Sequence, residues 1–90
     1  MAEINYDDLR AKLNKGATWP QLYMFKFIVP SVNHKIALVE SLFSDDAEIK
    51  LLPSSGGKYT SVTARVVMLD AEQVIDTYKK AAEIEGIISL

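Results

Sequence analysis

The residues best suited to chemistry in this sequence form one short segment between two apolar runs. The segment combines backbone amides, serine hydroxyls and one lysine, which together can hold a small anion or a carboxylate. We predict binding residues at Pro53, Ser54, Ser55, Gly56, Gly57, Lys58, Tyr59 and Ser61. The segment lacks the GxxxxGK[ST] spacing of a nucleotide-binding loop. The same residue types also form ordinary solvated turns, so a purely structural role is the alternative.

Catalytic and metal-binding chemistry has little support elsewhere in the chain. There is no cysteine, and the single histidine, His34, has no second ligand at helical spacing. Asp45, Asp46 and Glu48 fall in a predicted turn region, where aspartate forms local hydrogen bonds. The sequence places no activating base beside the serines, apart from the neighbouring Lys58. We therefore predict no catalytic residues, no metal and no cofactor, and expect that the protein is not an enzyme.

The composition of the chain narrows the choice of partners and compartment. Ninety residues, 49% of them hydrophobic, suffice for one domain with a modest core. Ten basic and twelve acidic residues give a net charge of −2, without the basic patch of a nucleic-acid-binding protein. The longest apolar runs fall far short of the roughly 20 residues that span a bilayer, and the acidic start lacks the pattern of a secretory signal. We expect a cytoplasmic protein that binds neither nucleic acid nor membrane.

A hairpin between two strands must position the candidate segment. We expect Gly56 and Gly57 to supply the positive φ angles of its turn. The surrounding pattern predicts a helix at 5–14, a strand at 22–29, a helix from Ser31 as N-cap to about Phe43, and strands at 48–52 and 59–69. A last helix is expected to begin at an Asp70–Gln73 capping box and to stop at Gly86, and a terminal strand follows at 87–90.

Alternation of apolar side chains predicts which face of each central strand is buried. The inward face of the first strand is expected to carry Tyr23, Phe25, Phe27 and Val29, and the outward face Met24, Lys26 and Ile28. For the third strand, the inward residues are Val62, Ala64, Val66 and Met68, and the outward residues are Tyr59, Ser61, Thr63 and Arg65. An RNA-binding sheet stacks bases on several outward rings, whereas this one has a single ring at its edge. We therefore expect no RNA recognition.

The order of the elements, a helix and then β-α-β-β-α-β, predicts an α+β protein of the ferredoxin-like type. Right-handed crossovers then give an antiparallel four-stranded sheet of order 4-1-3-2, with two helices on one face and the other face open. We assign residues 1–18 to an N-terminal helical extension and linker. Residues 19–90 are assigned to a single ferredoxin-like domain.

The hairpin also resembles a known family. The resemblance is carried by Trp19-Pro20, the strand at 25–29, the Pro-Ser-Ser-x-Gly-x-Tyr-x-Ser-Val pattern at 53–62, the helix that contains Gln73 and Val74, and residues 84–90. These stretches resemble the YbeD-like family of small bacterial proteins of unknown function. The resemblance implies a fold similar to the small-molecule-binding regulatory domains of the ACT type, and a regulatory role without an established activity. The loop at 29–32 differs from the glycine-rich loop of those sensor domains.

Two functions remain open at this point. The first is a non-enzymatic regulatory or protein-interaction module that works through a sheet edge, the open face or the hairpin. The alternative is an ACT-like sensor of an amino acid or another carboxylate, which acts as a dimer. Charges of both signs in the expected edge strand, 48–51, disfavour pairing between copies. We expect a monomer or weak homodimer with an unknown protein partner or small-molecule effector.

Overall fold

Seven helices and strands follow one another along residues 4–90, the part of the chain that the computed structural model describes. Residues 1–3 of the predicted N-terminal extension lie outside this part. The elements are α1 (Tyr6–Asn14), β1 (Gln21–Pro30), α2 (Asn33–Glu40), β2 (Glu48–Pro53), β3 (Tyr59–Met68), α3 (Ala71–Ala81) and β4 (Ile88–Ser89). Each predicted helix and strand is present, although several end at other residues than expected.

The four strands form one antiparallel sheet in the order β2-β3-β1-β4. This is the predicted order read from the opposite edge. The long central pair, β1 and β3, is aligned from Gln21 opposite Met68 to Pro30 opposite Tyr59. At one edge β2 pairs with β3, and at the other edge β4 pairs with β1 over two residues. The α+β class and the antiparallel order are therefore confirmed.

One face of this sheet forms the hydrophobic core. Of the predicted inward residues, Tyr23 is half-buried against the core and the others are buried there, namely Phe25, Phe27, Val29, Val62, Ala64, Val66 and Met68. The helices add Val39 from α2 and Val74, Tyr78 and Ala81 from α3 to the same cluster. The ring of Phe25 lies at its centre, with ring centroids 4.6 Å from Tyr23, 5.2 Å from Tyr78 and 5.3 Å from Phe43. We call this side of the sheet the covered face.

Two tyrosine hydroxyls meet at the margin of the core. The Tyr23 and Tyr78 hydroxyl oxygens lie 3.0 Å apart, which is hydrogen-bonding distance. Burial, followed by this hydrogen bond, raises the pKa of Tyr78 well above its ordinary value. The pair therefore satisfies a polar group that the packed rings would otherwise leave without a partner.

Helix α1 begins as predicted, because the Asn5 side chain accepts a hydrogen bond of 3.1 Å from the amide of Asp8. Its apolar residues Tyr6, Leu9 and Leu13 pack against the core, and polar contacts join it to α3. The Arg10 guanidinium donates to both carboxylate oxygens of Glu72, and the hydrogen bond lowers the pKa of Glu72. The Lys79 ammonium also lies 5.3 Å from the centroid of the Tyr6 ring. Both contacts join residues distant in sequence.

The start of α2 differs from the prediction. Val32 is the N-cap and makes no side-chain capping bond, whereas the predicted cap, Ser31, places its hydroxyl 2.8 Å from that of Thr60. The Ser31 amide donates to the Lys58 carbonyl at 2.9 Å, so this residue continues the contacts between β1 and β3. The helix also ends at Glu40 and not near Phe43, and Phe43 packs on the core from the turn that follows.

The end of α3 also differs from the prediction. The cap at its start is confirmed in part: Asp70 accepts from the Gln73 amide at 2.8 Å, but the Gln73 side chain accepts from Leu69 instead of closing the box on Asp70. The helix stops at Ala81, five residues before Gly86. Gly86 instead lies in a later turn with φ of +83°, where an added Cβ would be 2.9 Å from Cγ of Pro30. Strand β4 begins after this turn and comprises only Ile88–Ser89, whereas a strand at 87–90 was predicted.

Candidate functional site

The hairpin between β2 and β3 presents the predicted binding segment. Pro53 lies opposite Thr60, and the turn between them is closed by a hydrogen bond of 2.8 Å from the Ser54 amide to the Tyr59 carbonyl. The Gly57 amide donates to the Ser54 carbonyl at 2.9 Å, and the Tyr59 amide donates to Ser54 Oγ at 3.3 Å. Three of the amides expected to receive a ligand are therefore used within the turn. Ser54 takes part in all three of these hydrogen bonds, through its amide, its carbonyl and its hydroxyl.

The two glycines of the turn do not share one conformation. Gly57 has a φ of +74°, whereas Gly56 does not adopt a positive φ. The prediction for Gly56 was therefore wrong. One left-handed residue suffices because the turn is longer than a two-residue hairpin loop, the type that needs two positive φ angles.

The predicted binding residues separate into two groups in space. Ser55, Gly56, Gly57 and Lys58 form the exposed tip of the hairpin. Lys58 is exposed and makes no ion pair with any residue in the range 4–90. Pro53, also exposed, ends β2. The second group consists of Ser54, Tyr59 and Ser61, which border a groove on the sheet.

This groove lies on the face of the sheet opposite the core, which we call the open face. It has a volume of about 360 Å³ and is lined by Ile28, Ser54, Tyr59, Ser61 and Ile88, and we call it the hairpin groove. The strand register explains the grouping, because Ile28 pairs with Ser61 on one side and with Ile88 on the other. Three strands and the hairpin thus meet at one apolar site bordered by three hydroxyl-bearing residues.

The sequence reasoning missed Ile28 and Ile88 as site residues. Ile28 was assigned to the outward face, but it was not connected with the hairpin. Part of the signal was available: in the predicted order β4 lies beside β1, and alternation puts Ile88 on the face opposite to that of Ile87. Combining strand order with alternation would have placed both isoleucines on the outward face of neighbouring strands, and the register sets them beside Ser61.

The hairpin groove is lined by hydroxyl groups and apolar side chains. Ser54 Oγ is occupied as an acceptor by the Tyr59 amide. His34 lies exposed on α2, and the acidic residues Asp45 and Asp46 lie in the turn before β2. Within residues 4–90, no histidine, lysine or carboxylate forms a hydrogen bond with the groove serines. The groove offers apolar contact and hydroxyl groups that fix an orientation.

A second cavity lies between the ends of α2 and α3, on the helical side of the molecule. Its volume is about 520 Å³, and it is lined by Leu38, Ser41, Leu42, Lys80, Glu83 and Ile84. None of the predicted binding residues lies there. Residues 4–90 contain no group of three His, Cys, Asp or Glu side chains that could hold a metal ion. In the same range, no helix has the length and apolar character needed to cross a membrane.

Comparison with known proteins places the hairpin and the sheet in a family. The model of a family described as "Protein of unknown function (DUF493)" matches residues 15–90, which include all four strands. The chain belongs to the DUF493 family. The predicted resemblance to the YbeD-like proteins is thereby confirmed. Helix α1 precedes the matched residues.

Curated relatives support the same membership. Proteins called "UPF0250 protein" from Shewanella halifaxensis (strain HAW-EB4) and Shewanella piezotolerans (strain WP3 / JCM 13877) are each 30% identical to this chain over 83 residues. In both cases the match covers 88% of this chain and 94% of the relative. No solved structure matches the chain. The relatives in this DUF493 family are thus similar over nearly their whole length, and their names state no activity.

Proposed function

We propose that this DUF493 protein is a non-enzymatic regulatory module with a ferredoxin-like plait that binds another protein on its open face, at the hairpin groove. The observation that carries the proposal is the meeting of three predicted binding residues, Ser54, Tyr59 and Ser61, with Ile28 and Ile88 at one site. A module of this kind regulates its partner by binding to it and covering part of its surface.

The exposure of the surrounding side chains supports a binding role. Tyr59 is 47% exposed and Leu52, whose neighbour across the strands is Ser61, is 71% exposed. Ile88 is 39% exposed at the other side of the groove. Neighbouring exposed apolar side chains with a polar margin are typical of interaction sites. Tyrosine in particular gives a large contact area at a small entropic cost.

A site-specific cross-linker tests the proposal directly. We would replace Tyr59 with the photoreactive residue p-benzoylphenylalanine, express the protein in bacterial cells and irradiate them. We expect a protein adduct of defined mass from this position. The matched control carries the same residue at His34, which is exposed on α2. Equal labelling from both positions, or no adduct from Tyr59, would contradict the proposed surface.

A paired substitution tests the contribution of the hairpin. Lys58→Ala with Tyr59→Ala removes the free charge and the exposed ring without touching the core. We expect unchanged circular dichroism and a loss of the adduct when the cross-linker is placed at Leu52 instead. If the adduct from Leu52 persists in the double variant, the hairpin is not part of the binding surface.

The dimensions of the groove favour a small-molecule sensor as the second candidate. Its volume of about 360 Å³ falls within the range of roughly 300–1,000 Å³ typical of ligand pockets. A thermal-shift screen against amino acids and organic acids separates the two functions. A ligand at a hundred times its Kd adds about 2.7 kcal/mol, which raises the midpoint by several degrees. A shift abolished by Tyr59→Ala, together with dimers in sedimentation equilibrium, would favour the ACT-like sensor.

A further inference from the structure

The charges of the chain are distributed unevenly between the open face and the rest of the molecule. Within residues 4–90, the strands place three cations, Lys26, Lys50 and Arg65, and one carboxylate, Glu48, on the open face. The complete chain, by contrast, has ten basic and twelve acidic residues and a net charge of −2. The open face is therefore basic on an acidic protein.

The strand register arranges these charges as a band across the sheet. Lys50 pairs with Thr63, which in turn pairs with Lys26, while Arg65 pairs with Glu48 on one side and Met24 on the other. Directly paired side chains on one face are neighbours. We call the positions of Lys26, Lys50 and Arg65 the basic band.

The cations of the basic band are available to a partner. Lys26 and Arg65 form no ion pair with any residue in the described range. Lys50 Nζ is 3.9 Å from Glu48 Oε1, but both side chains are mostly exposed, and such surface pairs contribute little. An incoming carboxylate thus meets two cations, Lys26 and Arg65, that have no ion-pair partner within residues 4–90.

Apolar residues flank the basic band on both sides. The hairpin groove with Leu52 lies on one side. On the other side Leu22, Met24 and Val67 are 55%, 59% and 56% exposed. A ligand that satisfies the whole face must therefore carry carboxylates in its middle and apolar groups towards both ends.

We infer that the partner bound at the open face is an acidic polypeptide segment that crosses the basic band and rests apolar side chains on its two flanks. The inference rests on the proposed function and names the chemistry of the partner. Charge complementarity selects this occupant, because it steers association and penalises partners of like charge.

The same charges argue against two other occupants. A second copy stacked on the open face about a two-fold axis would bring one basic band against the other. A single-stranded nucleic acid would find charge but few stacking surfaces, because Tyr59 is the one aromatic ring that the described strands place on this face. The apolar flanks suit leucine-like and valine-like side chains better than bases.

A peptide selection tests the inference on the full chain. A display library of random 12-residue peptides is selected on the immobilised protein, and the enriched peptides are sequenced. We expect Asp and Glu next to apolar residues, in excess of the starting library. A labelled peptide from the selection should then bind more weakly as salt concentration rises, because exposed charges are screened.

Matched variants locate the bound peptide. Lys26→Gln with Arg65→Gln neutralises the basic band, and Lys12→Gln with Lys80→Gln removes two exposed charges from the helices. Fluorescence anisotropy should show about tenfold weaker binding for the first pair and less than about twofold change for the second. Circular dichroism should remain unchanged in both.

The outcomes separate the inference from the proposed function. Enriched peptides without acidic residues, which lose affinity with Tyr59→Ala but not with the band variant, would overturn the acidic partner and leave the binding surface intact. Failure to enrich any peptide, or binding indifferent to both variants, would overturn both. Tighter binding of a mixed-sequence 12-nucleotide RNA than of the selected peptide would also overturn both, in favour of a nucleic acid.

Discussion

The two faces of strand β1 differ in what covers them, although they alternate along the same ten residues. Phe25 and Phe27 have no exposed surface beneath the helices, whereas Leu22 and Met24 are more than half exposed on the other side. Both faces contain large apolar side chains, so hydrophobicity alone does not distinguish them. The covered face is tied to the stability of the fold, whereas we propose that the open face binds a partner.

Polar groups make the same distinction between the faces. On the covered face the Tyr23 and Tyr78 hydroxyls are paired. On the open face Lys26 and Arg65 have no ion-pair partner in residues 4–90. Paired polar groups are needed where water is excluded, whereas unpaired charges persist at low cost where water is present. We therefore expect substitutions on the covered face to lower the free energy of unfolding, and substitutions on the open face to weaken binding.

The largest effect is expected at the centre of the covered face. Phe25→Ala removes a ring that contacts three other aromatic rings, and should lower the free energy of unfolding by about 3–5 kcal/mol. The stability of a domain of this size is of that order, so the variant is expected to be largely unfolded at 37 °C. Urea titration followed by circular dichroism measures the change.

A milder variant keeps the expectation for Phe25 testable. Phe25→Leu retains much of the volume and should cost roughly 1–2 kcal/mol, with a cooperative transition that still allows a measurement. A stability equal to that of the wild type would show that the aromatic cluster is not the centre of the core, and the distinction between the faces would fail.

A smaller effect is expected at the tyrosine pair, with a characteristic pH dependence. Tyr78→Phe removes one hydroxyl of a hydrogen bond and should cost about 1 kcal/mol at pH 8. Because burial raises the pKa of Tyr78 in the folded state, its contribution is complete below the pKa of about 10 of an unfolded tyrosine and is lost as the pH rises above it.

The difference in the free energy of unfolding between the wild type and Tyr78→Phe should therefore disappear between pH 10 and pH 11. Over this one pH unit, ionisation of Tyr78 in the unfolded chain lowers the free energy of unfolding of the wild type by up to about 1 kcal/mol. The phenylalanine variant has no such loss. Other tyrosines and lysines titrate in both proteins, so the variant is the control for them. A gap that stays constant from pH 8 to pH 11 would show that Tyr78 ionises as freely in the folded state as in the unfolded chain.

Alternation was sufficient to predict the sheet but not the ends of the helices. The inward faces of β1 and β3 follow from a period of two that a single strand already displays, and the strand order follows from the handedness of the crossovers. Ser31 has the residue type of an N-cap, but its hydroxyl bonds to Thr60, a residue 29 positions away. Such tertiary contacts override local propensity, and the local sequence does not contain them.

The candidate site was predicted in part for a similar reason. Ser54, Tyr59 and Ser61 were identified because turn chemistry is local, whereas the predicted supply of free amides was wrong for Ser54, Gly57 and Tyr59. Ile28 and Ile88 join the site only through pairing across strands. The basic band was predicted only in pieces: Lys26 and Arg65 were assigned to outward faces, but the register that places Lys50 beside them was not predicted.

A still smaller effect is expected where α1 joins α3, outside both faces of the sheet. Glu72→Gln weakens the contact with Arg10 and should lower the thermal midpoint slightly, because both side chains are exposed and the interaction is screened. The lowered pKa of Glu72 means that its contribution is present above the ordinary pKa of about 4.3 and is lost as the pH falls through its folded value.

The salt and pH dependence of this small effect provide its test. The difference in thermal midpoint between wild type and Glu72→Gln should shrink in 1 M NaCl and should also shrink as the pH falls below about 4.3. Glu85→Gln, which changes an exposed carboxylate in the turn after α3, serves as the control. A difference that is large and insensitive to salt would show that the Arg10–Glu72 pair is shielded from solvent rather than a screened surface contact.

The smallest effect on stability is expected one residue away from the largest. Met24→Ser replaces an apolar side chain that is 59% exposed on the open face, and the free energy of unfolding should stay within about 0.5 kcal/mol of the wild type. Binding of a peptide selected on the open face should nevertheless weaken, since Met24 belongs to an apolar flank of the basic band. A loss of stability comparable to that of Phe25→Leu, with binding unchanged, would show that the open face holds the fold rather than a partner.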